Sequence, residues 1–446
     1  MIKSIILTLT YCYLFALNAQ ARQPNVIVIM ADDLGYETIE ANGGESYKTP
    51  YLNKMASEGV RFEHCYSQPI CTPSRVQIMS GQYNVRNYHS FGYLDITQKT
   101  FANALKSAGY KTCIAGKWQL NGKGTNLDQD KFPGLSRAEL FGFDNWCLWQ
   151  TVDSGRRKVD GKNVDARFVD PILNIDGKMT DVLMDKYGPK EVSDYLLNFI
   201  SENKENPFLV YYPMILTHCP FWPTPDSADW ADPSKRRPGH FYKGEPKYFG
   251  DMVTYMDKLV GRLISHIDKL GLAEDTLIIF TGDNGTDKPI VSRFKGRDYV
   301  GDKGKTNNGG THVPMIARWK GKAAKGLVSQ DLVDFSDVFP TLLDATNSSK
   351  PEGLILDGQS FLPQIKGETT QPRNWTYCYY SRTGKIQKDL KVFARNQQYK
   401  LYETGKMYDI QADELEKSPL DKSVAPKVRT MLQGVLDKHK KVDYRR

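Results

Sequence analysis

The sequence lacks any apolar run long enough to cross a membrane, and it shows no repeats or low-complexity tracts. Its longest apolar run, from Ile5 to Leu17, follows Lys3 and precedes an Ala-Gln-Ala cleavage pattern at residues 19–21. A membrane-spanning helix needs about 20 apolar residues. The run therefore predicts a signal peptide over residues 1–21 and no membrane span. We expect an exported protein, periplasmic or secreted, or lysosomal or extracellular if the source is eukaryotic.

Cysteine is also scarce, with 7 residues among 446. Apart from Cys12 in the apolar run and Cys71, the remaining cysteines are an odd set scattered over the chain, which favours buried thiols over a disulfide framework. The net charge of +8 is modest for this length and falls largely in loops such as 156–158 and 235–237. No nucleic-acid motif accompanies these clusters, so solvated loops or an acidic substrate explain them better than nucleic acid does.

Several apolar runs end directly in polar residues. Residues 25–30 are typical of a strand buried on both faces and lead into Asp32 and Asp33. Residues 276–280 form a similar apolar run and lead into Asp283 and Asn284. Alternating strands and helices indicate that these strands share a parallel sheet, so these side chains should meet at one sheet edge. Carboxylate and amide oxygens there suit Ca²⁺ or Mg²⁺, although a solvated turn is the alternative for Asp-Asp alone.

A second pattern, Cys71-Thr72-Pro73-Ser74-Arg75, opens a predicted helix that ends near Gly81. Proline suits the first turn of a helix, and glycine suits the position after its end. Cys71 would then lie at the helix N-terminus, where free N–H groups and the helix dipole favour an anion. Arg75, one turn further on, would add a guanidinium group suited to oxyanions. The pattern indicates a nucleophile beside an anion site.

This Cys-x-Pro-Ser-Arg pattern resembles the signature of type I sulfatases of the alkaline phosphatase superfamily. Residues 109–118, which end in Gly116-Lys117-Trp118, match the second signature of that family. His218-Cys219-Pro220 matches its His-x-Pro element, and Asp283-Asn284-Gly285 matches its metal element. Residues 301–314 match a further element, which makes Lys303 the counterpart of the second sulfate-binding lysine, with Lys305 as the register alternative. The resemblance covers nearly the whole mature chain.

The resemblance implies a fold and a set of cofactors. The fold is an α/β, alkaline phosphatase-like catalytic domain over residues 22–368, with a large mixed, mostly parallel sheet flanked by helices. A C-terminal α+β subdomain with a small antiparallel sheet follows over residues 369–446. Cys71 would be oxidised to Cα-formylglycine by a formylglycine-generating enzyme during maturation. A divalent cation, Ca²⁺ or alternatively Mg²⁺, would be held by Asp32, Asp33, modified Cys71, Asp283 and Asn284.

The resemblance also implies a mechanism. A hydroxyl of the formylglycine hydrate attacks sulfur, and the second hydroxyl later expels sulfate by re-forming the aldehyde. Arg75, Lys117 and Lys303 would hold the sulfate oxygens, and His218 would protonate the leaving alcohol. The family usually has His at the position of Gln119, where it is credited with helping to deprotonate the second hydroxyl. Glutamine can form hydrogen bonds but cannot accept that proton at neutral pH, so we expect another group or solvent to take it.

Taken together, these features predict a sulfatase that hydrolyses a sulfate ester, with a sulfated carbohydrate (a polysaccharide or glycosaminoglycan fragment) as substrate. Two alternatives stay open: a phosphodiesterase or phosphonate monoester hydrolase of the same superfamily, and an inactive glycan-binding relative with unmodified Cys71. Export, the basic loops and the aromatic and basic residues Trp149, Trp222, Arg237 and His240 favour a carbohydrate over a small aryl sulfate. The predicted substrate contacts are Lys117, Gln119, His218, Arg237 and Lys303.

Overall fold

The computed structural model describes residues 22–122, 137–149, 156–159, 162–236, 244–384 and 386–442. The strands are β1 Asn25–Ala31, β2 Val60–Tyr66, β3 Lys111–Lys117, β4 Asn145–Trp149, β5 Arg156–Val159, β6 Lys162–Asp165, β7 Asn174–Ile175, β8 Lys178–Met179, β9 Phe208–Pro213, β10 Thr276–Gly282, β11 Val291–Phe294, β12 Arg297–Val300, β13 Met315–Arg318, β14 Leu327–Asp334, β15 Thr376–Tyr380, β16 Lys391–Arg395, β17 Tyr399–Tyr402 and β18 Met407–Asp409. The α-helices are α1 Pro50–Glu58, α2 Cys71–Ser80, α3 Asn84–Asn87, α4 Phe101–Ser107, α5 Arg137–Leu140, α6 Gly188–Glu202, α7 Pro233–Arg236, α8 Phe249–Lys269, α9 Asn308–Thr311, α10 Val338–Thr346, α11 Leu362–Lys366, α12 Ile386–Asp389 and α13 Pro426–Lys440.

A ten-stranded sheet forms the centre of the molecule, in the order β14-β2-β13-β10-β1-β9-β3-β4-β7-β8. Strand β1 runs parallel to both β10 and β9, and β3 runs parallel to β9 and β4. Strand β13 is antiparallel to its neighbours β10 and β2, which makes the sheet mixed. The predicted mixed, mostly parallel sheet is confirmed.

Helices cover both faces of this sheet because its central strands are apolar throughout. All seven residues of β1 are buried. Ile27 and Ile29 pack in one core with Met252, Met256 and other residues of α8. Their neighbours in sequence point to the opposite face, where Val26, Val28 and Met30 share a second core with residues of α4 and α10, such as Phe101, Leu105, Phe339 and Leu342. Two hydrophobic layers therefore hold the sheet from both sides.

A separate four-stranded antiparallel sheet, in the order β15-β16-β17-β18, lies near the C-terminus. Helix α13 covers it, with Leu432, Val435 and Leu436 packed against Tyr377 and Leu401. The predicted small antiparallel sheet with one helix is confirmed. The Sγ of Cys378 in β15 lies 3.0 Å from Oε1 of Gln68, which precedes α2, so this sheet contacts the Cys71 segment.

Within the ranges given above, no helix combines the length and the apolar character needed to cross a membrane. The predicted signal peptide, residues 1–21, lies outside the described residues. Six cysteines fall among the described residues, and all of them are buried free thiols, as the sequence indicates.

Candidate active site

The central strands end at one level, and their following residues form a polar cluster. In the register of the sheet, Met30 of β1 lies opposite Thr281 of β10 and Pro213 of β9. Asp32 and Asp33 therefore follow β1 at the level where Asp283 follows β10. Backbone hydrogen bonds join these segments, from Asp32 N to Leu216 O at 2.8 Å and from Asp283 N to Ala31 O at 2.9 Å. The convergence predicted from the apolar runs is confirmed for these residues.

Three carboxylates and three cations alternate in this cluster. Lys117 Nζ lies 2.7 Å from Asp32 Oδ2, and Lys303 Nζ lies 2.6 Å from Asp33 Oδ2. Arg75 Nη2 lies 3.0 Å from Asp283 Oδ2 and 3.9 Å from Asp32 Oδ1, so each carboxylate has a cation within 3.0 Å and Arg75 lies between two of them. Of the two lysines left open by the sequence, Lys303 is the one whose ammonium group contacts a carboxylate of the cluster.

Burial and charge act in opposite directions on these carboxyl groups. Burial alone would raise the pKa of Asp32, but the charges of Lys117, His218 and Arg75 outweigh it and lower that pKa. Burial opposes ionisation of Asp33 as well, and Lys303 and His218 lower its pKa. For Asp283, burial and the neighbouring Asp32 charge raise the pKa to about 7 in spite of Arg75. Asp283 therefore resists ionisation in this cluster, and an additional cation would favour its charged form.

Two buried oxygens of the cluster have no hydrogen-bond donor. Asp32 Oδ1 and Asn284 Oδ1 accept no hydrogen bond from any described residue. The Asn284 amide is held in place, because its Nδ2 donates to Asp33 Oδ1 at 2.9 Å. Buried oxygens without partners are costly, and an oxygen-rich donor set suits a hard divalent cation such as Ca²⁺ or Mg²⁺. The residues present therefore fit such an ion.

One further group could contribute to a cation site. Asp32, Asp33 and His218 each offer a ligand atom, and these atoms lie within 4.8 Å of one another. His218 Nε2 is 3.8 Å from Asp33 Oδ2. Asp283, in contrast, has both oxygens engaged, since its Oδ1 accepts Asp33 N at 3.0 Å and its Oδ2 accepts Arg75.

Cys71 occupies the first position of helix α2, as the sequence predicts, and Ile70 is the N-cap residue. The side chain is 2% exposed. Burial raises the pKa of the Cys71 thiol, although Lys117 and Lys303 oppose this effect. An unmodified Cys71 would accordingly stay protonated and would be a weak nucleophile, because the thiolate is the reactive form.

Gln119 lies directly beside this residue, with its Oε1 3.1 Å from Cys71 Sγ. Its backbone is left-handed, with a φ of 54°. Gly116, which lies in β3 before this residue, has a φ of 126°, and a Cβ at that position would lie 1.9 Å from Pro213 O. The end of β3 thus packs closely against β9, which places Lys117, the last residue of the strand, beside Asp32, and the loop that follows brings Gln119 to Cys71.

His218 is buried and follows β9. Burial, together with the charge of Lys303, lowers the pKa of His218 to about 3. Its Nδ1 lies 3.0 Å from Nη1 of Arg167, a contact that the sequence did not predict. Arg167 belongs to a segment without a recognisable motif, so no pattern in the sequence marks it.

The remaining predicted substrate residues divide into two groups. Trp149 and Trp222 are buried, and Trp149 lies under the guanidinium group of Arg167 at 4.3 Å. Arg237 and His240 lie outside the described residues.

Comparisons with known proteins show the family to which the chain belongs. The sulfatase family model matches residues 24–348, and the model of the N-sulphoglucosamine sulphohydrolase C-terminal region matches residues 300–442. Human arylsulfatase A is 31% identical over 407 residues, which cover 86% of this chain and 75% of that protein. Mouse N-acetylgalactosamine-6-sulfatase is 27% identical over 393 residues, covering 82% and 71% of the two chains.

Solved structures extend the comparison to the fold. The crystal structure of Ps i-CgsB has a TM-score of 0.74 and 25% identity, and the match covers 95% of this chain and 93% of that one. Phosphonate monoester hydrolase of Agrobacterium radiobacter, with a TM-score of 0.69, 18% identity and coverage of 94% and 95%, shares the fold. Fold and site define a hydrolase of the alkaline phosphatase-like class. The chain belongs to the sulfatase family, whose members are enzymes that hydrolyse sulfate esters.

Proposed function

We propose that this protein removes sulfate from a sulfated carbohydrate, with Cys71 converted to formylglycine and a divalent cation, most simply Ca²⁺, in the cluster. The observation that carries the proposal is the position of Cys71 at a buried helix N-terminus, within the same cluster as Asp32, Lys117 and Lys303. The name of the mouse relative, N-acetylgalactosamine-6-sulfatase, supports a carbohydrate as substrate.

The proposed cation site consists of Asp32, Asp33, Asp283 and Asn284, together with the modified side chain at position 71. When bound, the cation would supply Lewis-acid stabilisation of the sulfate group, and formylglycine would supply the nucleophilic hydroxyl. The two orphaned oxygens, Asp32 Oδ1 and Asn284 Oδ1, support this ligand set.

Charge explains how the same residues could bind a sulfate ester. Without a further cation, the charges of Arg75, Lys117 and Lys303 are balanced by three carboxylates. A divalent cation on those carboxylates would leave the pocket positive and would release the two lysine ammonium groups from their present partners. Arg75, Lys117 and Lys303 could then hold the sulfate oxygens, a role in which preorganised charge is most effective.

We propose that His218 is the donor to the oxygen of the leaving alcohol. Gln119 would hydrogen-bond to the side chain at position 71, as its Oε1 does with the thiol at 3.1 Å. Because glutamine cannot take up a proton, we propose that solvent or another group accepts the proton during sulfate release.

We also propose the processing and domain organisation that the sequence predicts. Export through the signal peptide at residues 1–21 would deliver the protein to the periplasm or the exterior, or to a lysosome if the source is eukaryotic. A formylglycine-generating enzyme would modify Cys71 during maturation. A division into residues 22–368 and 369–446 is supported by the position of the four-stranded sheet, whose first strand begins at Thr376.

The test is a comparison of sulfate and phosphate release by protein purified from its native host. Wild type and Cys71→Ala would be assayed on sulfated sugars, 4-nitrophenyl sulfate and the matching phosphate and phosphonate esters. Cys65→Ala, which alters another buried thiol in strand β2, is the matched control. We expect sulfate release that Cys71→Ala abolishes and Cys65→Ala retains.

Two results would favour the alternatives instead. Faster cleavage of phosphonate or phosphodiester substrates would indicate the phosphonate hydrolase activity named for the Agrobacterium relative. Sulfated-glycan binding without release of either anion, unchanged in Cys71→Ala, would indicate a binding protein.

A further inference from the structure

Arg167 is a buried arginine whose guanidinium group has partners on three sides. The residue is 7% exposed. Its Nε lies 2.9 and 2.8 Å from the two carboxylate oxygens of Asp165, and its Nη2 lies 2.7 Å from Asp165 Oδ2. Asp165 therefore fixes the plane of the guanidinium group and balances its charge.

The flat face of the same guanidinium group lies against the central sheet. Its central carbon is 4.3 Å from the centroid of the Trp149 ring. Trp149 is the last residue of β4 and pairs in register with Lys117 of β3. The position of Arg167 is thus tied to the strand that carries one of the cluster lysines.

The remaining nitrogen, Nη1, contacts the His218 segment at two points. It lies 3.0 Å from His218 Nδ1 and donates to Cys219 O at 2.7 Å. Arginine carries donors only, so its hydrogen bond to Nδ1 requires a lone pair on that nitrogen. Nδ1 also lies 2.5 Å from Cys219 O, an oxygen to which a protonated Nδ1 would donate, so the contacts with Arg167 and with Cys219 O correspond to the two tautomers of the neutral ring. The other ring nitrogen, Nε2, is left facing Asp33 Oδ2 at 3.8 Å.

We propose that Arg167 is a positioning residue, which holds the His218 ring with its Nε2–H toward the reacting group. The proposal rests on the function proposed above, in which His218 serves the leaving oxygen. A direct contact with sulfate is disfavoured, because every nitrogen of Arg167 already has a partner and its charge is balanced by Asp165. Lys117 and Lys303, in contrast, are paired with carboxylates that a cation would occupy.

The kinetic test compares a substrate with a poor leaving group, an alkyl or sugar sulfate, with 4-nitrophenyl sulfate, whose leaving group needs little help. Arg167→Gln should lower kcat on the poor leaving group by about 10–100-fold, the usual effect of losing a partner that orients a site residue. On 4-nitrophenyl sulfate the loss should be smaller than about threefold, by the same argument, with KM unchanged on both. Arg167→Lys, which keeps the charge but not the fork, should give an intermediate loss and covers the case in which Arg167→Gln does not fold.

Two controls separate positioning from a general structural effect. Arg236 has similar surroundings, with its guanidinium 5.2 Å from the Trp230 ring and 3.1 Å from Asp185 Oδ1. Arg236→Gln should show no dependence on the leaving group. In a His218→Ala background, Arg167→Gln should cause no further loss, because its effect acts through the imidazole.

A measurement that needs no activity is the ¹⁵N spectrum of the His218 ring, in a chain with only 7 histidines. We expect a protonated Nε2 and an Nδ1 that accepts a hydrogen bond in the wild type, with the Nδ1 signal shifted in Arg167→Gln but not in Arg236→Gln. An Nδ1–H in the wild type, equal losses on both substrates or additive losses with His218→Ala would overturn the proposal. Failure of the proposed function itself would give a different result, namely sulfate release that is unchanged in Cys71→Ala.

Discussion

Lys400 offers a sharp test of how the C-terminal sheet supports the candidate site. It belongs to β17 and is fully buried, and its ammonium group binds Glu416 and the carbonyl oxygen of Thr306. Tyr402 Oη donates to Thr306 Oγ1 at 2.8 Å. Thr306 follows Lys303 by three residues, so these contacts fix the loop that carries Lys303 to Asp33.

Lys400→Met should destabilise the protein by about 3–5 kcal/mol, because it leaves the Glu416 carboxylate buried without its partner. The double change Lys400→Met with Glu416→Gln should recover part of this loss, since it removes the unpaired charge. Because the loop that carries Lys303 loses its hydrogen bond from Lys400, KM for a sulfate ester should also rise several-fold in the variant that remains folded. Lys406→Met, at an exposed position in the same region, is the matched control.

The pH dependence of the same pair has a defined sign. Burial lowers the pKa of Lys400 from 10.5 to about 8, although Glu416 opposes the shift. Between pH 8 and 10.5 the unfolded chain therefore binds more protons than the folded chain, and stability rises with pH through this window. At 1.36 kcal/mol per pKa unit, the contribution amounts to about 3 kcal/mol.

Urea unfolding of the wild type and Lys400→Met at several pH values measures both effects. We expect the wild type to be the more stable protein, by a margin that grows from pH 8 to 10.5. An equal unfolding midpoint for the two proteins, or a margin that shrinks as the pH rises, would refute the reasoning.

Three further predictions concern the site itself. Removal of divalent cations with a chelator should abolish sulfate release and lower Tm by about 5 °C, and addition of Ca²⁺ should restore both. An unchanged Tm would argue against a cation bound to Asp32. Gly116→Ala should lower the free energy of unfolding in urea by more than about 2 kcal/mol, because the new Cβ would collide with Pro213 O. Gly271→Ala, which has open space around it, is the control and should lower that free energy by only about 1 kcal/mol, through strain of the left-handed backbone. Gln119→His restores a proton acceptor beside position 71, and histidine tolerates the left-handed backbone. It should speed sulfate release after the initial burst of alcohol by about 100-fold or more, with Gln119→Leu as control. An unchanged rate would count against a kinetic role for this position.

The sequence predicts those parts of the site that depend on local pattern. Asp32, Asp33 and Asp283 each follow an apolar strand directly, and parallel strands bring such residues together at one edge. Cys71 could be placed at a helix N-terminus because proline and glycine mark both ends of α2. The register of the Lys303 loop stayed open, since Lys303 and Lys305 both fit the spacing.

Other contacts depend on packing between distant segments, and no local pattern reports them. Arg167 and His218 are 51 positions apart in sequence, and the segment of Arg167 has no regular periodicity. Lys400 and Thr306 meet only because the four-stranded sheet lies beside the loop of Lys303. The pairing of Arg75 with Asp283 likewise follows from the fold, whereas the sequence indicated only an anion site.

The central claim, a formylglycine sulfatase, is tested most directly by the mass of one peptide. Trypsin should cut after Arg61 and Arg75, which gives a peptide of residues 62–75 that contains both Cys65 and Cys71. In protein from its native host, alkylated before digestion, we predict one alkylated cysteine, Cys65, and an aldehyde in place of the Cys71 thiol. The aldehyde should react with hydroxylamine. Two alkylated cysteines and no aldehyde would contradict the account.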